Sequence, residues 1–208
     1  GIRQDERENT ISQIGGDCVR TGFFGDLSDE DKEIAEYGLK QGLILIGGLG
    51  LALIAGWLLS IPGQAVLFLV FTYALRIYAG GYHAGTPVQC AVFSAAAALA
   101  CFFCLKYVTL PPALLHPLTL AAGLFILKQA PVDTKNKPLD PGEKEVYGRT
   151  ARRIVLAETG LWLVSALLGW ETGTRCISTC LLFMAVNLAL GLADRKRRNP
   201  DHDADPDL

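Results

Sequence analysis

The sequence has 208 residues, half of them hydrophobic, and its mean hydropathy is +0.31. Charged residues make up 19% of it and are confined to a few stretches, so that long runs of the chain carry no charge. The formal net charge of −2 by itself says nothing about partners. Such segregated composition excludes an ordinary soluble domain and predicts an integral membrane protein.

The first 38 residues are polar and mixed in charge, and we expect them to form a cytoplasmic or interfacial segment. Ser28 followed by Asp29-Glu30-Asp31 is typical of a helix start, because acidic residues in the first turn interact favourably with the helix dipole. No small-residue cleavage site follows an apolar stretch here, so we expect no signal peptide to be removed.

The remainder of the chain, at 39–193, predicts an all-α, polytopic membrane core within a single membrane domain, 1–208. About 20 apolar residues are needed for a helix to cross the hydrocarbon, and the runs lack the alternation that barrel strands require. Six candidate spans result, at about 42–59, 62–78, 87–105, 112–127, 154–170 and 176–193. The second and fourth are short, which leaves open that either is a re-entrant hairpin.

Basic residues predict the orientation of these spans. With six crossings, 17 of the 19 Lys and Arg residues fall on one side, and only Lys106 and Arg175 fall on the other. The basic-rich side includes the large loop 128–153 and the tail 194–208, which is basic and then acidic and is expected to be disordered. Because basic residues concentrate in cytoplasmic loops, we expect a multi-pass cell-membrane protein with both termini in the cytoplasm.

Chemically distinctive residues cluster between the second and third spans. Three glycines surround His83 and allow the backbone to turn tightly and to approach a bound peptide; they are Gly80, Gly81 and Gly85. Thr86 is typical of an N-cap, with Pro87 at the first helical position and Gln89 completing a capping box. This helix start predicts Cys90 in the first turn, where free N–H groups and the helix dipole favour a thiolate.

His83 and Cys90 are seven residues apart, which on one continuous helix would separate them by about 10 Å along the axis. The glycines and the helix break would instead let His83 fold back toward Cys90, within reach for proton transfer. The pattern therefore predicts a nucleophilic cysteine with a histidine base. The simpler alternative is a cysteine that fills space in an apolar span and an unremarkable polar histidine at the interface.

The segment resembles the signature of the accessory gene regulator protein B (AgrB) family, membrane cysteine endopeptidases that process quorum-sensing propeptides. The residues that carry the likeness are Arg76, Gly80-Gly81-Tyr82-His83-Ala84, Cys90 and Ser94. Ala130–Pro138 resembles the second recurring motif of the family, and Asp31–Gly38 resembles its approach to the first span. The likeness extends over about residues 28–195.

The resemblance implies that Cys90 and His83 are catalytic and that the substrate is an AgrD-like precursor peptide. Cys90 would attack the bond between the core and the C-terminal tail of the precursor, and the thioester formed would be passed to the precursor's own cysteine as a thiolactone. No metal or organic cofactor is needed for this chemistry. The expected partners are the precursor and the lipid bilayer; a homodimer is left open, and no nucleic acid is expected.

Other residues near the two motifs are candidates for supporting roles. Asp133 or Asn136 would orient His83 as a third member, although an aspartate in a turn needs no catalytic explanation. Lys135 and its basic neighbours would bind an acidic precursor tail, although the positive-inside rule already accounts for them. Arg76 would pair with a substrate carboxylate or hold the loop, or is an ordinary basic residue at the end of a span.

Two other functions compete with the peptidase. Cys101 and Cys104 have the CxxC spacing of thiol–disulfide oxidoreductases, and Cys176 and Cys180 offer a second pair. Against this function, Cys101 and Cys104 lie well inside a predicted helix rather than at its start, where such thiols are activated. A non-catalytic peptide transporter or scaffold is the other alternative, and it requires no nucleophile at Cys90.

Overall fold

A computed structural model of the chain describes residues 29–82, 87–132 and 140–198. Six α-helices account for most of them: α1 (Asp29–Leu58), α2 (Pro62–Ala79), α3 (Pro87–Tyr107), α4 (Pro112–Gln129), α5 (Pro141–Leu167) and α6 (Glu171–Arg198). In these ranges the only β-type pairing is an isolated parallel bridge between Gly80 and Val132. The all-α prediction is confirmed.

Residue contacts divide the chain into two units, 1–47 and 48–208. In the first unit the described structure is the beginning of α1, which starts at Asp29 in the acidic run that predicts a helix start. The second unit contains the rest of α1 and the helices α2 to α6.

Prolines begin four of the helices, at Pro62, Pro87, Pro112 and Pro141. Proline suits this position, because its fixed φ is already helical and the first N–H of a helix has no partner within the helix. The sequence predicts the start at Pro87, and the structure confirms it. The cap expected at Thr86 lies outside the described residues.

Helix α6 lies at the centre of the second unit, where it contacts α2, α3, α4 and α5. Its inward face is fully buried and carries Cys176, Ile177, Cys180, Leu181, Met184 and Leu188. Aromatic packing joins it to its neighbours, since Phe68 of α2 lies 5.7 Å from Phe102 of α3 and 6.0 Å from Phe183 of α6, centroid to centroid. The central position of α6 matters for the site described below.

Three of the helices are long and apolar enough to cross a membrane: Pro62–Ala79, Gln89–Tyr107 and Glu171–Arg197. The outer surface of the bundle is rich in large exposed apolar side chains, including Trp57, Ile77 and Leu167. An abundance of large exposed apolar side chains is unusual for a soluble monomer and fits contact with lipid. The six-span arrangement, including the re-entrant alternative, stays a prediction.

The connection between α4 and α5 is shorter than the sequence-predicted loop 128–153. Helix α5 begins at Pro141, and the N–H of Asp140 donates to the Glu143 carboxylate at 3.4 Å across its start. Residues 141–153 are therefore helical, and their many charges mark the polar beginning of a helix rather than a loop.

The first residues of the predicted tail 194–208 are helical. Helix α6 continues to Arg198. Basic side chains in the last turn of a helix interact favourably with its dipole, which gives a physical reason for the continuation. Residues 199–208 lie outside the described ranges.

Candidate active site

A short non-helical segment, Gly80-Gly81-Tyr82, leads from α2 toward His83, and we call it the 80–82 segment. Gly80 and Gly81 have φ values of 74° and 131°, a region that favours glycine. A Cβ on Gly80 would clash with the carbonyl oxygen of Val132, and one on Gly81 would clash with the side-chain oxygen of Asn187. Both glycines are thus required by backbone angle and by close packing, as the predicted tight turn demands.

The segment meets the second motif of the sequence through Val132. The Val132 N–H donates to the Ala79 carbonyl at 3.0 Å, and Val132 pairs with Gly80 in the isolated bridge. Val132 is buried, and it is the last described residue before Asp133. Two motifs that lie about 50 residues apart in the chain are therefore adjacent in space, as the candidate role of Asp133 beside His83 requires.

Arg76, in the last turn of α2, connects the 80–82 segment to the cysteine. Its Nη2 donates to the Tyr82 carbonyl at 3.2 Å, and its side chain also interacts with Cys90. Arg76 therefore holds the segment, which is one of the roles considered from the sequence, and it places a positive charge beside the thiol.

Cys90 is partly exposed and lies in the first turn of α3, where the helix start at Pro87 predicts it. Tyr82 packs against the same end of α3, with its ring centroid 5.3 Å from that of Phe93 in an edge-to-face arrangement. The beginning of α3 and the 80–82 segment are therefore in direct contact. The thiol lies at a helix start, beside a cation, and next to the chain that leads to His83.

Helix α6 contributes two residues that sequence reasoning did not assign to the site. The Tyr82 N–H donates both to the side-chain oxygen of Asn187 at 3.0 Å and to its backbone oxygen at 3.2 Å. A Cβ on Gly191 would lie 2.9 Å from the carbonyl carbon of Gly81. The signal available in the sequence is an asparagine in an apolar span, a residue type that commonly bonds between helices, with a glycine one turn later.

Several predicted site residues lie outside the described ranges: His83, Gly85, Asp133, Lys135 and Asn136. Tyr82 immediately precedes His83 in the chain, and Val132, which immediately precedes Asp133, contacts Ala79 and Gly80. Within 29–82, 87–132 and 140–198, no group of three or more His, Cys, Asp or Glu side chains is arranged to hold a metal ion.

The sequence model of the family described as Accessory gene regulator B matches residues 19–188, well over half of the chain. The chain belongs to the AgrB family. An AgrB-like protein of Clostridium perfringens (strain SM101 / Type A) is 27% identical over 172 residues, covering 77% of this chain and 79% of that protein. A second, AgrB-like protein 2 of Clostridium perfringens (strain 13 / Type A), is 32% identical over 127 residues, covering 56% and 58%. No solved structure matches the chain significantly.

Membership confirms the resemblance inferred from Arg76, the double glycine, His83 and Cys90. It assigns the protein a role in peptide processing for accessory gene regulator quorum sensing. Together with the three apolar helices, it identifies a membrane protein. The arrangement around Cys90 then raises the question of which chemistry these residues perform within that role.

Proposed function

We propose that this protein is a membrane cysteine endopeptidase that removes the C-terminal tail of an AgrD-like precursor and promotes closure of a thiolactone ring. One observation carries the proposal: the Arg76 guanidinium donates to the carbonyl of Tyr82, the residue before His83, and lies beside Cys90. Family membership supports the class of substrate.

In the first step His83 accepts the proton of the Cys90 thiol, and the thiolate attacks the carbonyl carbon between precursor core and tail. The positive charge of Arg76 stabilises the thiolate before attack. The peptide bond breaks as His83 returns its proton to the leaving amine, so the tail departs with a neutral N-terminus. The core remains attached to Cys90 as a thioester.

In the second step the precursor's own cysteine displaces Cys90. Its thiolate attacks the thioester carbonyl, the new thioester closes the ring, and Cys90 leaves as a thiolate that takes up a proton. Because one thioester replaces another, acyl activation is conserved. Water would hydrolyse the intermediate, so a site at the membrane interface with limited water access suits this chemistry. The residues proposed to act need no metal or cofactor.

Asp133 is the proposed orienter of His83, supported by the hydrogen bond that holds its neighbour Val132 at Ala79. We expect Asp133→Asn to slow precursor cleavage by about 100-fold or more, because asparagine cannot stabilise the imidazolium. Rates would be measured with purified protein in nanodiscs and normalised to folded protein. Asp140→Asn is the matched control, since asparagine is an equally good N-cap; near-normal cleavage by Asp133→Asn would make Asp133 a turn residue only.

Lys135 and Asn136 follow Asp133 in the same motif and are proposed to face the precursor as well. Lys135 would attract an acidic tail, and Asn136 is the alternative orienter of His83. Kinetics distinguish a tail-binding residue from an orienter, because loss of a tail-binding charge raises KM and its dependence on salt, whereas loss of an orienter lowers kcat.

The proposed orientation places the site at the cytoplasmic face, with both termini inside. Two exposed positions test it in a cysteine-free background: Gly142 at the start of α5, where a side chain has open space, and Thr172 at the start of α6. In intact cells a membrane-impermeant maleimide should label Thr172→Cys and leave Gly142→Cys unlabelled until the cells are opened. The reverse pattern would contradict the orientation.

The thiol oxidoreductase and scaffold alternatives are separated from the peptidase by one set of cysteine variants. No disulfide joins the cysteines in the described ranges, and Cys180 is buried with Thr72 donating to its sulfur at 3.3 Å. A protein that retains Cys90 should still cleave a synthetic AgrD-like precursor when the other cysteines are replaced by alanine or serine: Cys18, Cys101, Cys104, Cys176 and Cys180. An oxidoreductase would lose its function in that protein, and a scaffold would keep it in Cys90→Ala.

A further inference from the structure

We propose that Asn187 of α6 is a positioning residue for this reaction, one that holds the 80–82 segment and thereby sets the reach of His83 toward Cys90. The inference rests on the proposed function, because its main consequence is a change in the rate of acylation. It gives the central helix of the bundle a part in catalysis, although that helix contributes no reacting group.

The first observation is the hydrogen bonding of Tyr82. Its N–H is shared between the side-chain oxygen and the backbone oxygen of Asn187, at 3.0 and 3.2 Å. Asn187 is only 1% exposed, so water does not compete for the amide. The other end of the amide, Nδ2, has no partner among the described residues, so the side chain acts on the segment through its oxygen.

The second observation is the shape of α6 beside the segment. Gly191 lies one turn after Asn187, and a Cβ there would approach the Gly81 carbonyl carbon to 2.9 Å and the Tyr82 nitrogen to 3.1 Å. These distances are too short for a relaxed contact with backbone atoms. The helix therefore presents an acceptor and a gap on the same face, and the segment lies in contact with both.

The third observation concerns what these contacts fix. Arg76 bonds to the carbonyl of Tyr82, and Asn187 bonds to its N–H. With both of its polar backbone groups held, Tyr82 has a defined orientation, and this orientation sets the direction in which the chain continues to His83. A base must be within hydrogen-bond reach of the proton it removes, and displacement by about 1 Å costs roughly 100-fold in rate.

The test compares variants of the purified full-length protein in nanodiscs under single-turnover conditions with a synthetic AgrD-like precursor. We expect Asn187→Ala to slow acylation of Cys90 by roughly 10- to 100-fold, with precursor binding changed by less than about twofold. Asn187→Asp keeps an acceptor oxygen in the same place, and a carboxyl buried here is expected to stay protonated because an unpaired buried charge is costly. It should therefore recover most of the rate lost in the alanine variant. Gly191→Ala should repeat the slow acylation by pushing the segment away.

Hydrogen exchange at the Tyr82 amide provides a readout that does not depend on activity. Loss of the side-chain acceptor in Asn187→Ala should speed this exchange by about fivefold or more. Ser178→Ala is the control, because Ser178 is a buried polar residue on the same helix, more than two turns before Asn187, and its hydroxyl has no hydrogen-bond partner among the described residues. It should change neither acylation nor exchange at Tyr82.

The outcomes separate failure of this inference from failure of the proposed function. Unchanged acylation and unchanged Tyr82 exchange in folded Asn187→Ala would overturn the inference, and so would Asn187→Asp acylating as slowly as the alanine variant. If Cys90→Ala, measured in parallel, cleaved normally, the proposed function would fall instead. We expect slow acylation in both Asn187→Ala and Gly191→Ala, and normal acylation in Ser178→Ala.

Discussion

Replacement of Cys90 by alanine should abolish precursor cleavage, with a loss of more than about 1,000-fold, because the nucleophile itself is removed. Cys90→Ser should be nearly as inactive, since a serine hydroxyl is far less acidic and is not ionised by a guanidinium and a helix start. The rate of tail release, followed by chromatography of the products, measures the effect. Cys104→Ser is the matched control, because Cys104 lies on the same helix at an exposed position.

Both Cys90 variants should accumulate in the membrane at normal levels. The residue is small and partly exposed in the first turn of α3, where its removal leaves no large cavity. They should also still bind the precursor, so they separate binding from chemistry. Cleavage by Cys90→Ala at more than a few per cent of the normal rate would contradict its role as nucleophile.

Substitution of Arg76 should have the second largest effect. Alanine removes both the hydrogen bond to the Tyr82 carbonyl and the charge beside Cys90, and we expect acylation to slow by about 100-fold or more. Lysine keeps the charge but replaces a planar fork of donors with one compact ammonium group that cannot reproduce both bonds. Arg76→Lys should therefore lie between alanine and the unchanged protein.

The alkylation rate of Cys90 by iodoacetamide distinguishes the two contributions of Arg76. If its charge favours the thiolate, Arg76→Ala should slow alkylation, whereas Arg76→Lys should largely preserve it. Arg149→Ala is the matched control, because Arg149 is exposed and pairs with Glu145 at 3.0 Å on the surface of α5. Such pairs contribute little to stability. Equal acylation by Arg76→Ala and the control would show that Arg76 is an ordinary basic residue at a span end.

The sequence predicts those parts of the fold that depend on residues close to one another in the chain. Apolar runs predict the helices, and Pro87 predicts the helix start that carries Cys90. Arg76 and Cys90 are recognisable by their spacing around the glycines. Each of these features depends on contacts within a few residues or on the solvent preference of a whole segment.

Charge alone mispredicts the extent of the loop between helices α4 and α5. The many charged residues between Lys128 and Arg153 suggested a single long loop, although Asp140 and Glu143 carry the pattern of a helix start. A helix that begins in the polar region and then enters the apolar one has the same composition as a loop followed by a shorter helix. The pairing of acidic residues at its start was the signal that distinguished them.

The remaining features of the site depend on contacts between distant parts of the chain. Tyr82 and Asn187 are 105 residues apart, and Val132 pairs with Gly80 from another motif. No periodicity predicts which buried asparagine faces which backbone N–H. The same holds for Gly191, whose importance follows from the distance between helix α6 and the 80–82 segment rather than from its neighbours in the chain.

The most direct test of the mechanism is to locate the acyl group on the enzyme by mass spectrometry. The precursor should have its core cysteine replaced by serine, which slows ring closure and allows the thioester to accumulate. Cleavage after Arg76 and Lys106 gives a peptide, 77–106, that contains His83 and three cysteines, so fragment ions must assign the modified one. Samples are quenched in acid, because thioesters survive there.

We predict the mass of the precursor core on Cys90, absent from Cys90→Ala and strongly reduced in His83→Ala. Treatment with hydroxylamine should remove it, as expected for a thioester. An acyl group on Cys101 or Cys104, or tail release without any acyl group on Cys90, would contradict the mechanism.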